Sequence, residues 1–351
     1  MPTRRSRSGS VTLQDVARAA GVSLATASRS LHDAARAPRE ELRARVLAAA
    51  AQLGYSSHGP AQALAKSTTP VVGLLVHDIA DPYFSALAIG AMRVAHDSGL
   101  LILVGNTFRD PTLELTYLNR LKAQRARGVL LLASGFSDRA YQRELRRELT
   151  AFEALGGRVA CVSPHGFDAD AVLPDHRAGG RLVADHLVAL GHERIGVVTG
   201  PANLLTSRER LQGLKERLRA LGHPLPTERI VRSDFTRDGG HRATRDLMAR
   251  CPDLTAVFAV NDMMAVGVLN ALREDLRLSV PDDVSVVGFD DIPLTEDLHL
   301  TTVHLPLEEI GAHGMRLLLG ERLPMPRTVR VPARLVERAS SAPVSRRRRP
   351  R

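Results

Sequence analysis

The stretch from Thr12 to Leu31, TLQDVARAAGVSLATASRSL, constrains this chain more than any other. It reads as two short helices joined by a glycine turn. The Thr12 hydroxyl can cap the first helix by accepting an orphan backbone N–H. Val16 and Ala20 fall on one face at helical spacing. Gly21 sits where the chain must reverse, and a residue without Cβ adopts a left-handed conformation at little cost. Ser23 can cap the second helix, whose Ala27 and Leu31 form a buried face and leave Leu24, Ala25, Ser28 and Arg29 outward. Caps, glycine and periodicity agree, and the shape they describe lays a helix in the major groove of DNA.

The charge distribution supports this. The chain has 351 residues and a formal net charge of +10. The first 66 residues carry ten Lys/Arg against four Asp/Glu, and the last eleven carry five Arg and no acid. The long middle is near neutral. A basic head on a neutral body is the footprint of a small nucleic-acid-binding domain joined to a larger domain with another task. No apolar run approaches the length of a membrane helix, so no membrane partner is expected. The N-terminus lacks the apolar core of a secretory signal, which points to a cytoplasmic, nucleoid-associated protein. The two cysteines, Cys161 and Cys251, fit no metal or redox motif. No Gly-x-Ser-x-Gly elbow, Walker loop or metal-spaced histidine pair is present, so neither an enzyme nor a cofactor is expected.

The organisation follows. Residues 1–11 form a disordered basic arm, 12–57 a helix-turn-helix domain, 58–69 a hinge or linker, 70–340 a core and 341–351 a basic tail. A third helix runs from about Arg39 to Leu53, with Val46, Ala50 and Leu53 inward and Gly54 ending it. From Pro70 short apolar runs alternate with helical segments: Val71–Val76, Leu100–Val104, Gly128–Ala133, Val159–Val162, Ile195–Thr199, Ala256–Val260 and Val284–Phe289. This is the pattern of parallel sheets covered on both faces. Ligands of such sheets bind at the carboxyl ends of strands. Here those ends carry Asp78, Asn106, Thr107, Ser134, Ser163, Asn261, Asp262, Asp290 and Asp291.

The two-helix motif, VVGLLVHDIADPYF (71–84), DHRAGG (175–180), LGHERI (190–195), RERLQG (208–213), AVND (259–262) and DVSVVGFDDIP (283–293) together resemble the lac repressor family of bacterial transcription regulators. The resemblance runs from Val11 to about Glu337. It implies a helix-turn-helix headpiece and a core of two subdomains like a periplasmic sugar-binding protein. The implied subdomains are about 70–168 with 301–327, and 169–300 with 328–340. It also implies a homodimer that holds a palindromic double-stranded DNA operator, usually as a repressor, under allosteric control by a small molecule. A free-standing solute-binding protein and a regulator with a non-sugar effector are the alternatives.

Residue by residue, Leu24, Ala25 and Arg29 match family positions that face base edges. Arg29 can pair bidentately with guanine, worth about 1–3 kcal/mol of discrimination. Thr12, Ser23, Thr26 and Ser28 are placed for phosphates, which position without specifying. Leu64 matches a hinge leucine that wedges into the minor groove. Arg210, Asn261 and Asp290 match effector-contacting positions, Tyr83 and Phe84 an aromatic pair that can stack on a sugar or a base. Each has a plainer reading: Asp290 as a helix cap, Arg210 in a structural ion pair, Phe84 as core. Ser163, also an effector-binding candidate, stands where many sugar-responsive relatives carry aspartate, and His176 replaces the usual asparagine. The effector expected is sugar-like or nucleobase-like.

Overall fold

Thr12 and Asp15 begin the first helix by capping each other. The Thr12 hydroxyl donates to Asp15 Oδ2 at 2.6 Å and accepts from Asp15 N, while Asp15 Oδ2 also accepts from Thr12 N at 3.0 Å. Helix α1 (Leu13–Ala20) ends at Gly21, whose φ of 62° is left-handed. Ser23 Oγ accepts from Thr26 N at 3.1 Å and starts α2 (Leu24–His32). α3 (Glu40–Leu53) ends on Gly54, again left-handed. Val16, Ala17, Ala20, Ala27, Val46, Ala49 and Ala50 make the small core between them. Leu53 is exposed and Ala49 takes the inward place expected of it. Arg45 closes the unit by donating to the Ala20 carbonyl at 2.6 Å. Replacing Thr12 with alanine removes both bonds of its hydroxyl, keeps the one from its backbone N–H, and is expected to cost about 1 kcal/mol of headpiece stability, measurable by thermal unfolding.

The computed structural model describes residues 11–32, 39–55 and 68–344. The basic arm, nearly all of the hinge segment with Leu64, and the end of the tail lie outside the described residues. The chain divides into two units, Met1–Thr69 and Pro70–Arg351.

In the second unit, β1 (Thr69–Val76) leads to α4 (Pro82–Asp97), β2 (Leu101–Asn106), α5 (Pro111–Ala123), β3 (Ala126–Leu131), α6 (Arg139–Ala154), β4 (Arg158–Val162) and β5 (Asp170–Pro174). Asp81-Pro82 and Asp110-Pro111 open α4 and α5 in the same way. The aspartate caps the helix, and the proline fills a first-turn position whose N–H would have no partner. The second half contains α7 (His176–Ala189), β6 (Ile195–Thr199), α8 (Leu205–Ala220), β7 (Ile230–Arg232), α9 (Arg237–Arg250), β8 (Ala256–Ala259), α10 (Asp262–Asn270), β9 (Ser285–Val287) and α11 (Leu294–Asp297). Then follow β10 (Thr302–His304), α12 (Leu307–Leu319), β11 (Thr328–Val331) and β12 (Arg334–Val336).

One sheet has the order β11-β5-β4-β3-β1-β2, the other β7-β6-β8-β9. Pairings β1–β2, β3–β4, β4–β5 and β5–β11 are parallel in the first, and β6–β7, β6–β8 and β8–β9 in the second. β5 and β11 belong to the first sheet. The chain therefore first leaves that subdomain after Pro174 rather than near 168, and last leaves it after Val331 rather than near 328. Both strands are short and partly exposed, so, like β7, they lack the continuous apolar run that marks the other sheet strands. Apolar side chains of α5 and α6, Leu118, Leu145, Leu149 and Phe152, cover one face of the first sheet. Buried among them is an acid, Glu114, only 1% exposed.

Candidate functional site

On α2, Leu24, Ala25 and Arg29 are exposed, Leu24 to 50%. Arg29 Nε donates to the Ala25 carbonyl at 3.2 Å, which lays the side chain along the exposed face. Ser28 is half-buried. Ser23 and Thr26 hydrogen-bond each other at the start of α2. Thr12 lies at the start of α1. The helix thus presents two apolar side chains and one guanidinium outward, with hydroxyls at its start.

In the second unit a cleft lies between the subdomains. One wall carries His77, Asp81, Tyr83, Phe84, Arg109 and Ser134; the other carries Leu204, Thr206, Arg210, Phe235, Asn261 and Asp290. The cavity between the walls is narrow, about 40 Å3. Among the described residues the walls are joined by three hydrogen bonds, one of them from Ser137 N to the Asn203 carbonyl at 2.7 Å. Ser134 Oγ accepts from Thr206 N at 3.0 Å, and the Gly135 carbonyl accepts from Leu205 N at 2.9 Å. Elsewhere, the Arg109 guanidinium lies 5.4 Å from the Phe235 ring.

Arg210 is the centre of the site. It is 2% exposed, a rare state for arginine. Its Nη2 donates to Asp290 Oδ1 at 2.6 Å, its Nη1 to the Val260 carbonyl at 2.7 Å, and its Nε to His176 Nδ1 at 3.3 Å. The Phe289 ring lies 3.9 Å from the guanidinium carbon. α8 can bring Arg210 here because α7 and α8 cross on glycines. A Cβ on Gly180 would stand 2.2 Å from the Arg210 carbonyl, and one on Gly213 would stand 2.1 Å from the Arg177 carbonyl. The segments DHRAGG and RERLQG are the two halves of this crossing.

Asp290 has φ 117° and Asp291 φ 61°. Two successive residues in sparsely populated backbone regions mark stored strain. Asp262 holds the turn by accepting from Ile292 N at 3.0 Å and from the Thr302 hydroxyl at 2.6 Å. Burial and the nearby Asp290 push the Asp262 carboxyl well up. Burial also pushes Asp290 up, while the Arg210 guanidinium against it pulls it back. Of the two buried acids, Asp290 is the one that pairs with the guanidinium. Asp81 is raised by burial and accepts from Tyr83 N.

The expected residues therefore separate. Arg210 and Asp290 meet in one ion pair, so the structural reading of Arg210 and its place in the cleft are both true. Asn261 caps α10 through Met264 N at 3.0 Å and also donates to the Phe235 carbonyl. Tyr83 and Phe84 pack edge to face at 4.9 Å and are largely buried. Ser163 is not in the cleft wall; it touches His176 behind it. His77, Asp81, Arg109, Leu204, Thr206 and Phe235 were not anticipated. Of these only Asp81 carried a local signal, its Asp-Pro helix start. Thr206 is 7% exposed, and its hydroxyl has no hydrogen-bond partner among the described residues.

Residues 12–58 match the bacterial regulatory proteins, lacI family, and residues 184–341 match a periplasmic binding protein-like domain. The transcriptional regulator GalR of Escherichia coli K12 is 31% identical over 324 residues, which is 91% of this chain and 92% of that one. The chain belongs to the lacI family. Among solved structures it is similar to a lac repressor dimer bound to operator and the anti-inducer ONPF, with TM-score 0.80, 26% identity and coverage of 95% and 100% of the two chains. It is also similar to a complex of the regulator CelR with cellobiose, with TM-score 0.69, 30% identity and coverage of 94% and 99%. As a lacI-family member the chain is a DNA-binding transcription regulator, not an enzyme, with a helix-turn-helix domain ahead of a binding-protein-like core. Among the described residues no helix is long and apolar enough to cross a membrane.

Proposed function

We propose that this chain is a repressor that binds a palindromic operator as a homodimer in the cytoplasm, on the nucleoid, and is released by a sugar-like or nucleobase-like effector in the core cleft. The observation that carries this reading is a cleft walled by both subdomains with a buried guanidinium–carboxylate pair at its floor. The relatives supply the rest: one is a dimer on its operator, another holds cellobiose.

Each α2 meets base edges with Leu24, Ala25 and Arg29, while Thr12, Ser23, Thr26 and Ser28 serve the phosphates. Leu64, beyond the described residues, is the proposed minor-groove wedge. An apolar surface supports the dimer. β2 is an edge strand with Leu101 62%, Leu103 44% and Val104 44% exposed, next to exposed Phe108 at 67%. Exposed apolar edges of this kind are ordinarily covered.

Arg210, Asn261, Asp290 and the unpartnered Thr206 hydroxyl offer polar groups to a ligand rich in hydroxyl or ring-nitrogen groups. Tyr83 and Phe84 give an apolar edge. Because the walls nearly touch, an effector enters only as they part. Occupancy and the relative position of the subdomains are thereby coupled, and couplings of about 1–3 kcal/mol suffice for regulation.

Genomic footprinting of the bound chain tests this reading: palindromic sites are expected. On such a site Arg29→Ala should lose about 1–3 kcal/mol of affinity and relax the choice of one base in each half-site. Equal loss on random duplex would show a phosphate contact instead.

A further inference from the structure

Behind the cleft a polar relay joins the two subdomains through a histidine. Arg210 Nε donates to His176 Nδ1 at 3.3 Å. A guanidinium N–H can only donate, so His176 Nδ1 carries no proton and the ring N–H is on Nε2. That N–H faces Ser163 Oγ, also at 3.3 Å. His176 begins α7 in the second subdomain, while Ser163 follows β4 in the first.

The consequence falls on Arg210. Of its five N–H groups, one goes to His176, one to Val260 and one to Asp290. Two have no acceptor among the described residues, and Arg210 lines the cleft. Phe289 fixes the plane of the guanidinium from one face. Rotation within that plane is fixed by the three acceptors, and His176 alone holds the Nε edge.

We propose that His176 is a positioning residue, whose unprotonated Nδ1 aims the two free N–H groups of Arg210 at a pair of neighbouring oxygens on the effector. This rests on the cleft being the effector site. The groups facing the imidazole are Arg210 of α8, Ser163 and the Phe289 ring, with His165 reaching the Ser163 carbonyl beyond. None supplies a negative charge that would hold a proton on His176. Burial, and the Arg210 charge next to it, keep the ring well below the ordinary histidine range.

The arrangement makes the two neighbours chemically interdependent. A carboxylate in place of Ser163 would draw a proton onto His176. Nδ1–H would then face Arg210 Nε–H, donor against donor, and the guanidinium would be expelled.

The test has two arms on the full-length chain. In the first, nitrogen NMR of labelled histidine is expected to show a neutral, Nε2-protonated His176 between about pH 5 and about pH 9, a range in which an ordinary imidazole titrates. His176→Phe, which keeps a buried ring but offers no acceptor, is expected to shift the Arg210 Nε–H resonance. In the second, a panel of aldopentoses, aldohexoses, disaccharides and purine bases is screened by thermal shift, and the compound that stabilises the wild-type chain becomes the probe. His176→Phe is expected to weaken probe binding by about ten- to a hundredfold, the range for a hydrogen bond to a charged group. His176→Gln should recover most of this, and Ser163→Ala should change little. Ser163→Asp should fall as far as His176→Phe and be rescued by adding His176→Gln.

A His176 ring that titrates in that range, or a His176→Phe variant that binds the probe as wild type does, overturns the proposal. If no panel compound stabilises the wild-type chain, the effector reading of the cleft fails. The Arg210 resonance then decides the positioning role alone, and an unmoved signal in His176→Phe overturns it.

Discussion

Arg210→Met is expected to lower the stability of the core by about 3–5 kcal/mol, the cost of stranding one member of a buried ion pair, and to abolish release of DNA by any compound that releases the wild-type chain. The guanidinium and the Asp290 carboxylate are both almost fully withdrawn from water and lie 2.6 Å apart. Without Arg210, Asp290 must either remain charged in an apolar setting or bind a proton, and both are costly. Removing both members behaves differently, because two apolar side chains of similar volume leave no stranded charge. Arg210→Met with Asp290→Leu should therefore regain most of the lost stability, as measured by urea unfolding, while remaining blind to the effector. A single variant that unfolds at the wild-type urea concentration would show that the pair is solvated.

The second large effect lies away from the cleft. Glu114 is buried in the apolar layer beneath α5 and α6, with the Tyr141 hydroxyl beside its carboxyl. Burial pushes the Glu114 carboxyl up to about 7 from an ordinary value of 4.5. The folded chain thus holds this proton more tightly than the unfolded chain does. Between those two values the folded state carries more protons, so the contribution of Glu114 is greatest below the lower one and is lost as pH rises through the higher. At about 1.4 kcal/mol per pH unit the loss amounts to about 3 kcal/mol. Glu114→Gln has no charge to develop. Its stability relative to wild type should rise by that amount between acid and mildly alkaline buffer, read from urea midpoints. Parallel pH profiles for the two proteins would place Glu114 in contact with water.

The headpiece was legible because each local signal there has one structural meaning. Thr12, Gly21 and Ser23 act as caps and turn, and Ala27 is buried, as their spacing requires. Leu53 was misjudged because a helix end escapes its own periodicity once Ala49 fills the core. The apolar strands of both sheets could be read from continuous runs. β5, β7 and β11 could not, since short, partly exposed strands such as DAVLP, IVR and TVRV look like connecting segments. In the cleft, Arg210, Asn261 and Asp290 lie in recognisable segments near strand ends or on the glycine-crossed helix. Arg109, Thr206 and Phe235 matter only because loops from two subdomains converge, and no local pattern encodes that meeting. Ser163 and His176 were visible as departures from a family pattern, but their contact with each other was not.

The three crossings between the subdomains are not independent strings. β10 and β12 pair antiparallel through Thr302–Val336, Val303–Leu335 and His304–Arg334. Asp175 N, on the first crossing, donates to the Val331 carbonyl, at the entrance to the last. Asp291, beside the strained Asp290, is clamped by His304 and Arg338 at 2.8 Å each. The joint is therefore a laced ribbon rather than three separate links. If the cleft holds an effector as proposed, a leaf spring of this kind would turn occupants of different chemistry into the same stroke, and the ligand could change over evolution without the output having to be reinvented.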